Sequence, residues 1–209
     1  MGTFQPTKST THAKDAPVRL MKDTDEDRRK VCDFLHKIDY DFIPPLSDTS
    51  RYGSIEEYLK SILSNGKGKV LVAEKGDRVI GVLGYKFEGD HDERVHLVVA
   101  GVDKEERGAP WFYRLMQSMV KTENDTPIET VWGRTWESNT QMRKILGKIG
   151  LNEKTEERKV GDFGGLRTTM FYEGPWESLK KYFMRTIEEI TKDANLPEIR
   201  PPDRLAANR

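Results

Sequence analysis

Apolar positions along this chain change period several times, and each change marks an element. Val18 to Met21 reads as a short strand. Val31, Phe34, Leu35 and Ile38 then recur at helical spacing behind Asp23 or Thr24 as N-cap. Tyr40 to Leu46, with Pro44 and Pro45, reads as a loop. Ser54-Ile55-Glu56-Glu57 is a capping box, in which the serine takes the third helical N–H and the glutamate reaches back. Tyr58, Leu59, Ile62 and Leu63 continue that helix to a stop at Asn65-Gly66.

From there the pattern becomes strand-like. Lys69 to Lys75 and Arg78 to Phe87 flank Gly76-Asp77, a hairpin signal. Gly89-Asp90 turns the chain into a third strand, Val95 to Val102. Trp111, Phe112, Leu115, Met116, Met119 and Val120 form one helical face. Ile128 to Trp136 is a further strand, and a helix runs from Asn139 to about Ile149 and stops at Gly150. Glu153 to Val160 and Leu166 to Phe171 make a last hairpin around residues 161–165, followed by a helix over about Trp176 to Thr191. The segments outside this pattern, 1–17 and 193–209, read as a disordered arm and a polar tail. The body is one domain, 18–175, which the helix at 176–192 extends.

The order of elements sets the fold class. A three-strand meander implies antiparallel pairing, while strand-helix-strand in the middle implies a right-handed parallel crossover. The expected class is α+β (mixed α/β): a mixed, mostly antiparallel twisted sheet with helices on both faces, plus a C-terminal helix.

Composition narrows function. Lys plus Arg is 35 and Asp plus Glu is 35 in 209 residues, which removes any whole-molecule pull toward nucleic acid or anionic membrane. No apolar run is long enough to span a bilayer and no signal-peptide pattern opens the chain, so the expected compartment is the cytoplasm. Met1-Gly2 lacks the Ser or Thr at position six that myristoylation needs, because Pro6 stands there. The single cysteine, Cys32, permits no intramolecular disulfide and no cysteine zinc site, and reads as a buried structural thiol. His12, His36, His91 and His96 show no metal-ligand spacing, and no metal is expected.

The stretch Val102-Asp103-Lys104-Glu105-Glu106-Arg107-Gly108-Ala109-Pro110-Trp111-Phe112 joins a strand to a helix. A helix start offers unpaired N–H groups and partial positive charge, which suits phosphate. Further on, Ser138-Asn139-Thr140 opens a helical run that ends Lys148-Ile149-Gly150-Leu151. These two segments, in this order, resemble the Gcn5-related N-acetyltransferase (GNAT) family. Val102 and Arg107 match the phosphate loop, whereas its two glycine positions hold Pro110 and Phe112. Asn139 and Gly150 match the second segment, with Leu151 for the usual phenylalanine and Leu146 at the usual tyrosine position. The order of elements matches from about Val18 to Tyr172.

The resemblance implies acetyl-CoA or another acyl-CoA as co-substrate and direct acyl transfer to an amine acceptor of unknown identity. It places pantetheine against the backbone of Ala100, Gly101 and Val102, where an N–H could also polarise the thioester carbonyl. Arg107, Gly108, Ala109, Pro110, Trp111 and Phe112 would meet the phosphates, with Arg107 helping to neutralise them. Asn139 reads as an N-cap, to which the resemblance adds contact with the cofactor arm. His96 and Glu93 are the candidate bases, with His96 expected on the same pleat face as Ala100; a base acting through water stands beside them. Leu146 cannot serve as general acid, and Tyr113 and Ser138 lie near without the expected spacing. Trp132, Trp136 and Tyr85 are expected in the sheet core, and some of these could border an acceptor pocket with Phe42 and Tyr52. Gly101 suits a bulge. Two alternatives stay open: a GNAT-fold binding or assembly module with weak or lost coenzyme A binding, and a variant using another acyl carrier. A homodimer is a possible state.

Overall fold

The computed structural model describes residues 17–42, 45–48, 53–107, 110–160, 166–185 and 189. Its centre is a seven-stranded sheet in the order β1 (Val18–Leu20), β2 (Gly68–Lys75), β3 (Arg78–Glu88), β4 (Arg94–Val102), β5 (Thr130–Trp136), β7 (Leu166–Pro175), β6 (Asn152–Val160). Every neighbouring pair is antiparallel except β4 and β5, which run parallel. The expected meander and crossover are both present. The expected hairpin turn at 161–165 and the chain beyond 189 lie outside the described residues, as do both arms.

Helices cover both faces. α1 (Asp25–Ile38) and α2 (Ile55–Leu63) pack on β2, β3 and β4 over a core that includes Val31, Leu35, Ile62, Val72, Val82 and Val99. α3 (Trp111–Thr122), α4 (Thr140–Lys148) and α5 (Trp176–Phe183) contribute to the opposite core, with Leu71, Ile80, Leu83, Tyr85, Leu115, Met119 and Phe183. Alternation in β2 divides its residues cleanly: Val70 and Val72 face α1 and α2, and Leu71 and Ala73 face α3.

Local chemistry places the ends. Thr24, not Asp23, caps α1 by accepting from the Asp27 N–H at 3.3 Å. Ser54 caps α2 by accepting from the Glu57 N–H at 3.2 Å, but the Glu57 carboxylate pairs with Lys60 at 3.4 Å instead of reaching back. The stretch expected as loop after α1 holds two 3-10 turns, Asp39–Asp41 and Leu46–Asp48. At the far end of α3, Glu123 is 1% exposed and fully engaged. Tyr85 Oη donates to it at 2.6 Å, and Lys69 Nζ lies 2.9 and 3.0 Å from its two oxygens. A buried carboxylate is tolerated when so paired. This clamp fixes the C-terminus of α3 against β2 and β3.

Candidate active site

The parallel pair opens partway along its length. Pairing of β4 with β5 runs from Arg94 with Thr130 to Leu97 with Gly133. β4 continues to Val102 paired only with β3, and β5 continues to Trp136 paired only with β7. Between Val98–Val102 and Arg134–Trp136 the sheet is therefore open. Backbone N–H and C=O groups directed there have no strand to meet, and such groups seek partners.

An extra residue sits where the strands part. Leu97 pairs with Tyr85 and Val99 with Gly84, so Val98 is inserted in β4. Val98 and Val99 both face α1 and α2, whereas Leu97 and Ala100 both pack on the α3 side. This corrects the expectation that His96 shares a face with Ala100: alternation is broken between them. It also puts the bulge at Val98 and not at Gly101. Gly101 answers a different need, since a Cβ there would meet Ile38 Cδ1 at 2.4 Å. The end of α1 closes on the strand through that contact.

Past β4 the chain makes a 3-10 turn, Lys104–Glu106, capped by the Asp103 carboxylate. Asp103 is fully buried and bonded to Lys37 of α1 at 2.6 Å. Arg107 is only 10% exposed along its side chain. Its guanidinium pairs with Asp41 and its Nε donates to the Val102 carbonyl at 3.1 Å. The expected role as a phosphate ligand would require Arg107 to give up or share this pairing. Arg107 joins the turn after α1 to the end of β4, and its charge is already met. Gly108 and Ala109 lie outside the described residues. Pro110 is the N-cap of α3, not its first helical residue. Trp111 and Phe112 follow it. Both rings are buried, Phe112 at 7% exposure with Tyr113 edge-on at 5.6 Å. The Phe112 ring thus belongs to the core. The indole Nε1 of Trp111 is buried with no hydrogen-bond partner among the described residues.

No family model and no curated protein matches the chain. Solved structures do. An acetyltransferase of the GNAT family from Streptococcus pneumoniae superposes with TM-score 0.59 at 10% identity, covering 76% of this chain and 99% of that one. The fold is that of the GNAT acetyltransferases. A ribosomal-protein-alanine N-acetyltransferase from Brucella melitensis gives 0.59 at 16%, over 76% and 99% of the two chains. A GNAT acetyltransferase from Elizabethkingia anophelis with acetyl-CoA bound gives 0.53 at 13%, over 78% and 99%.

In this GNAT sheet the remaining candidates separate. Asn139 is the N-cap of α4, with Oδ1 accepting from the Met142 N–H at 3.1 Å. Glu93 precedes β4, at the end away from the gap, roughly 16 Å from Val98 by strand rise. Its own N–H and that of His91 hold its carboxyl below the usual range, so it is a weak base. His96 is next to the gap but 8% exposed, stacked on Trp132 at 3.7 Å and 8°. Burial, then the charges of Arg134, Lys86 and Arg94, push its pKa down to about 3. Such an imidazole is neutral across the physiological range and holds a proton poorly.

The acid candidates fare similarly. Leu146 is buried, and burial of Tyr113 raises its phenol pKa. Ser138 is exposed. Cys32 is buried, and burial, then Glu56 and Asp33, push its thiol up to about 11. Trp132 and Trp136 are half-buried on the α1 side of the sheet and not in the core, whereas Tyr85 is fully buried as expected. Phe42 lies over the gap, 3.6 Å from the place of a Gly101 Cβ, and Tyr52 lies outside the described residues.

Two features had no sequence signal: the pairing of Asp41 with Arg107, and the cluster of Arg143, Tyr172 and Glu153. That cluster borders a cavity of about 480 Å³ between α4 and β6. A second cavity, of about 240 Å³, lies between α1 and the β2–β3 turn. Neither is lined by residues of the strand gap. Among the described residues no group of His, Cys, Asp and Glu could hold a metal, and no helix is long and apolar enough to cross a membrane.

Proposed function

We propose that the chain is an acyl-CoA-dependent N-acyltransferase, most simply an N-acetyltransferase, acting in the gap between β4 and β5. The parting of those strands beyond Leu97 and Gly133 is the observation that carries the reading. A pantetheine arm carries amides of its own and would pair with backbone groups of β4 at the gap other than the Val98 and Val102 carbonyls, which accept from Tyr58 and Arg107. The start of α3 adjoins the same gap. Its N–H groups from Trp111 onward, with the positive end of the helix dipole, would meet the pyrophosphate. The residues present fit coenzyme A by backbone rather than by side chain. Pro110 supplies no donor, and Arg107 is engaged elsewhere.

The amine nitrogen would attack the thioester carbonyl, the C–S bond would break, and the thiolate would leave. A β4 N–H at the gap would stabilise the developing oxyanion. Neither candidate base serves, since Glu93 lies at the far end of β4 and burial lowers the proton affinity of His96, so the ammonium proton passes to water. Direct transfer agrees with Cys32 being buried and of raised pKa.

The second reading, a GNAT-fold binding or assembly module with weak coenzyme A affinity, draws on the engaged Arg107 and the missing donor at Pro110. Calorimetric titration with acetyl-CoA, alongside melting curves, separates the two. The first reading expects heat of binding and a Tm that rises with acetyl-CoA concentration, because only the native state binds. It also expects free thiol to appear when an amine acceptor is supplied. Absence of both heat and Tm shift would leave the second reading.

A further inference from the structure

The sheet face toward α1 carries a row of rings that no step above uses. His96 on β4 stacks on Trp132 of β5. Phe171 of β7 lies beyond Trp132 at 6.3 Å, with the rings 20° apart. The row starts one residue pair before the strands part, since His96 pairs with Trp132 and the last pair is Leu97 with Gly133. α1 and α2 cover β2, β3 and β4, and among the described residues no helix covers this face of β5 and β7. Trp132 and Phe171 are half-buried.

The charges around the row are unequally committed. Glu88 accepts from the Trp132 indole N–H at 2.8 Å and lies 3.6 Å from His96 Nδ1. Glu173 pairs with Arg94 at 3.2 Å. Arg134 and Lys86 have no ion pair among the described residues. Lys86 is opposite His96, and Arg134 is opposite Phe171, so both stand on the ring-bearing face. Glu88 meets no cation, since its indole and imidazole partners are neutral, so the uncommitted charge beside the rings is two cations against one carboxylate, net positive.

Resting on the acyltransfer reading, we propose that the acceptor is a small aliphatic amine that carries both an aromatic ring and a carboxylate. Its ring would lie against the Trp132–Phe171 row, and Arg134 and Lys86 would take its carboxylate. The phosphate-binding end of α3 belongs to the opposite face, so the gap passes through the sheet and delivers the thioester carbonyl to this side. The ring row then adjoins the carbonyl on the side from which an amine arrives. Aromatic stacking and cation–carboxylate pairing are each modest alone, but they act together on one molecule. A polyamine or other multiply charged cation would meet like charge at Arg134 and Lys86 and find Glu173 already paired with Arg94, leaving Glu88 as its one counter-charge. His96 is on this view a neutral stacking partner that sets specificity.

Ligand-observed NMR and calorimetry on the full chain test this without acyl-CoA, using phenylalanine, phenethylamine, alanine and spermidine. The expected order puts phenylalanine about tenfold or more ahead of the other three, a gap of the size that one added charged or aromatic contact gives. Arg134→Glu, an exposed position, should abolish the advantage over phenethylamine while leaving the melting curve unchanged. Trp132→Leu should abolish the advantage over alanine. Equal binding of all four, or tighter binding of spermidine, overturns the proposal, as does a preference that survives Arg134→Glu. Phenylalanine binding with no acetyl transfer would defeat the acyltransfer reading alone. Transfer to spermidine with no phenylalanine binding would defeat this inference alone.

Discussion

Val98 and Val99 both turn toward α1 and α2, so each residue after them on β4 faces opposite to where strict alternation would put it. That one insertion separates His96 from Ala100. A sequence of Val95, His96, Leu97, Val98, Val99, Ala100 gives no sign of it, because valine suits either face. Asn139 was legible for the contrary reason: its role is local, and an N-cap is written within three residues. The environment of His96 was not legible, since Trp132, Arg134 and Lys86 reach it from two other strands. It has a measurable consequence. The folded pKa near 3 lies below the unfolded value of about 6.5, so between these the unfolded state binds more protons. Stability contributed by neutral His96 is complete above about pH 6.5 and is lost as pH falls toward 3. Between pH 7.5 and 5 the native chain should lose about 2 kcal/mol more than His96→Phe, read from urea unfolding at each pH. Parallel curves for the two proteins would place His96 in a solvated setting.

Element by element, the strands and helices were readable wherever the period was long and the turn chemistry distinct. Gly76-Asp77, Ser54 and Gly150 each mark a boundary that the fold respects within a residue or two. What escaped was the contact between elements. Asp41 sits in a 3-10 turn after α1 and Arg107 after β4, and nothing in either segment announces the other. The phosphate-loop resemblance drew Arg107 to the anion, while the fold had already supplied a carboxylate. If Arg107 serves as this link, Arg107→Ala and Asp41→Ala should each cost about 2 kcal/mol in urea unfolding, and the double variant should cost much less than their sum. Arg107→Ala with unchanged stability but weakened acetyl-CoA binding would restore the arginine to the phosphate.

At the scale of the whole molecule, two cores hold the sheet from either side, and the one parallel strand pair among the described residues is also the pair that opens. α1 is drawn onto the end of β4 by Ile38 against Gly101 and by Lys37 on Asp103. α3 is fixed at its far end by Glu123 against β2 and β3. In the proposed function the start of α3, the gap and the ring row would be used in turn. The fold class could be read from the order of elements, and the strand ending at Val102 and the strand from Ile128 were expected as parallel neighbours that separate at one end, as they do; what had no signal was the residue at which the separation begins. Backbone amide NMR during titration with acetyl-CoA tests the proposed cleft directly. An acyl-CoA cleft here predicts shifts concentrated at Val98–Val102 and at Trp111, Phe112 and Tyr113, saturating together. Saturating shifts confined to the Arg143–Tyr172 cavity, or no shifts at all, would contradict it.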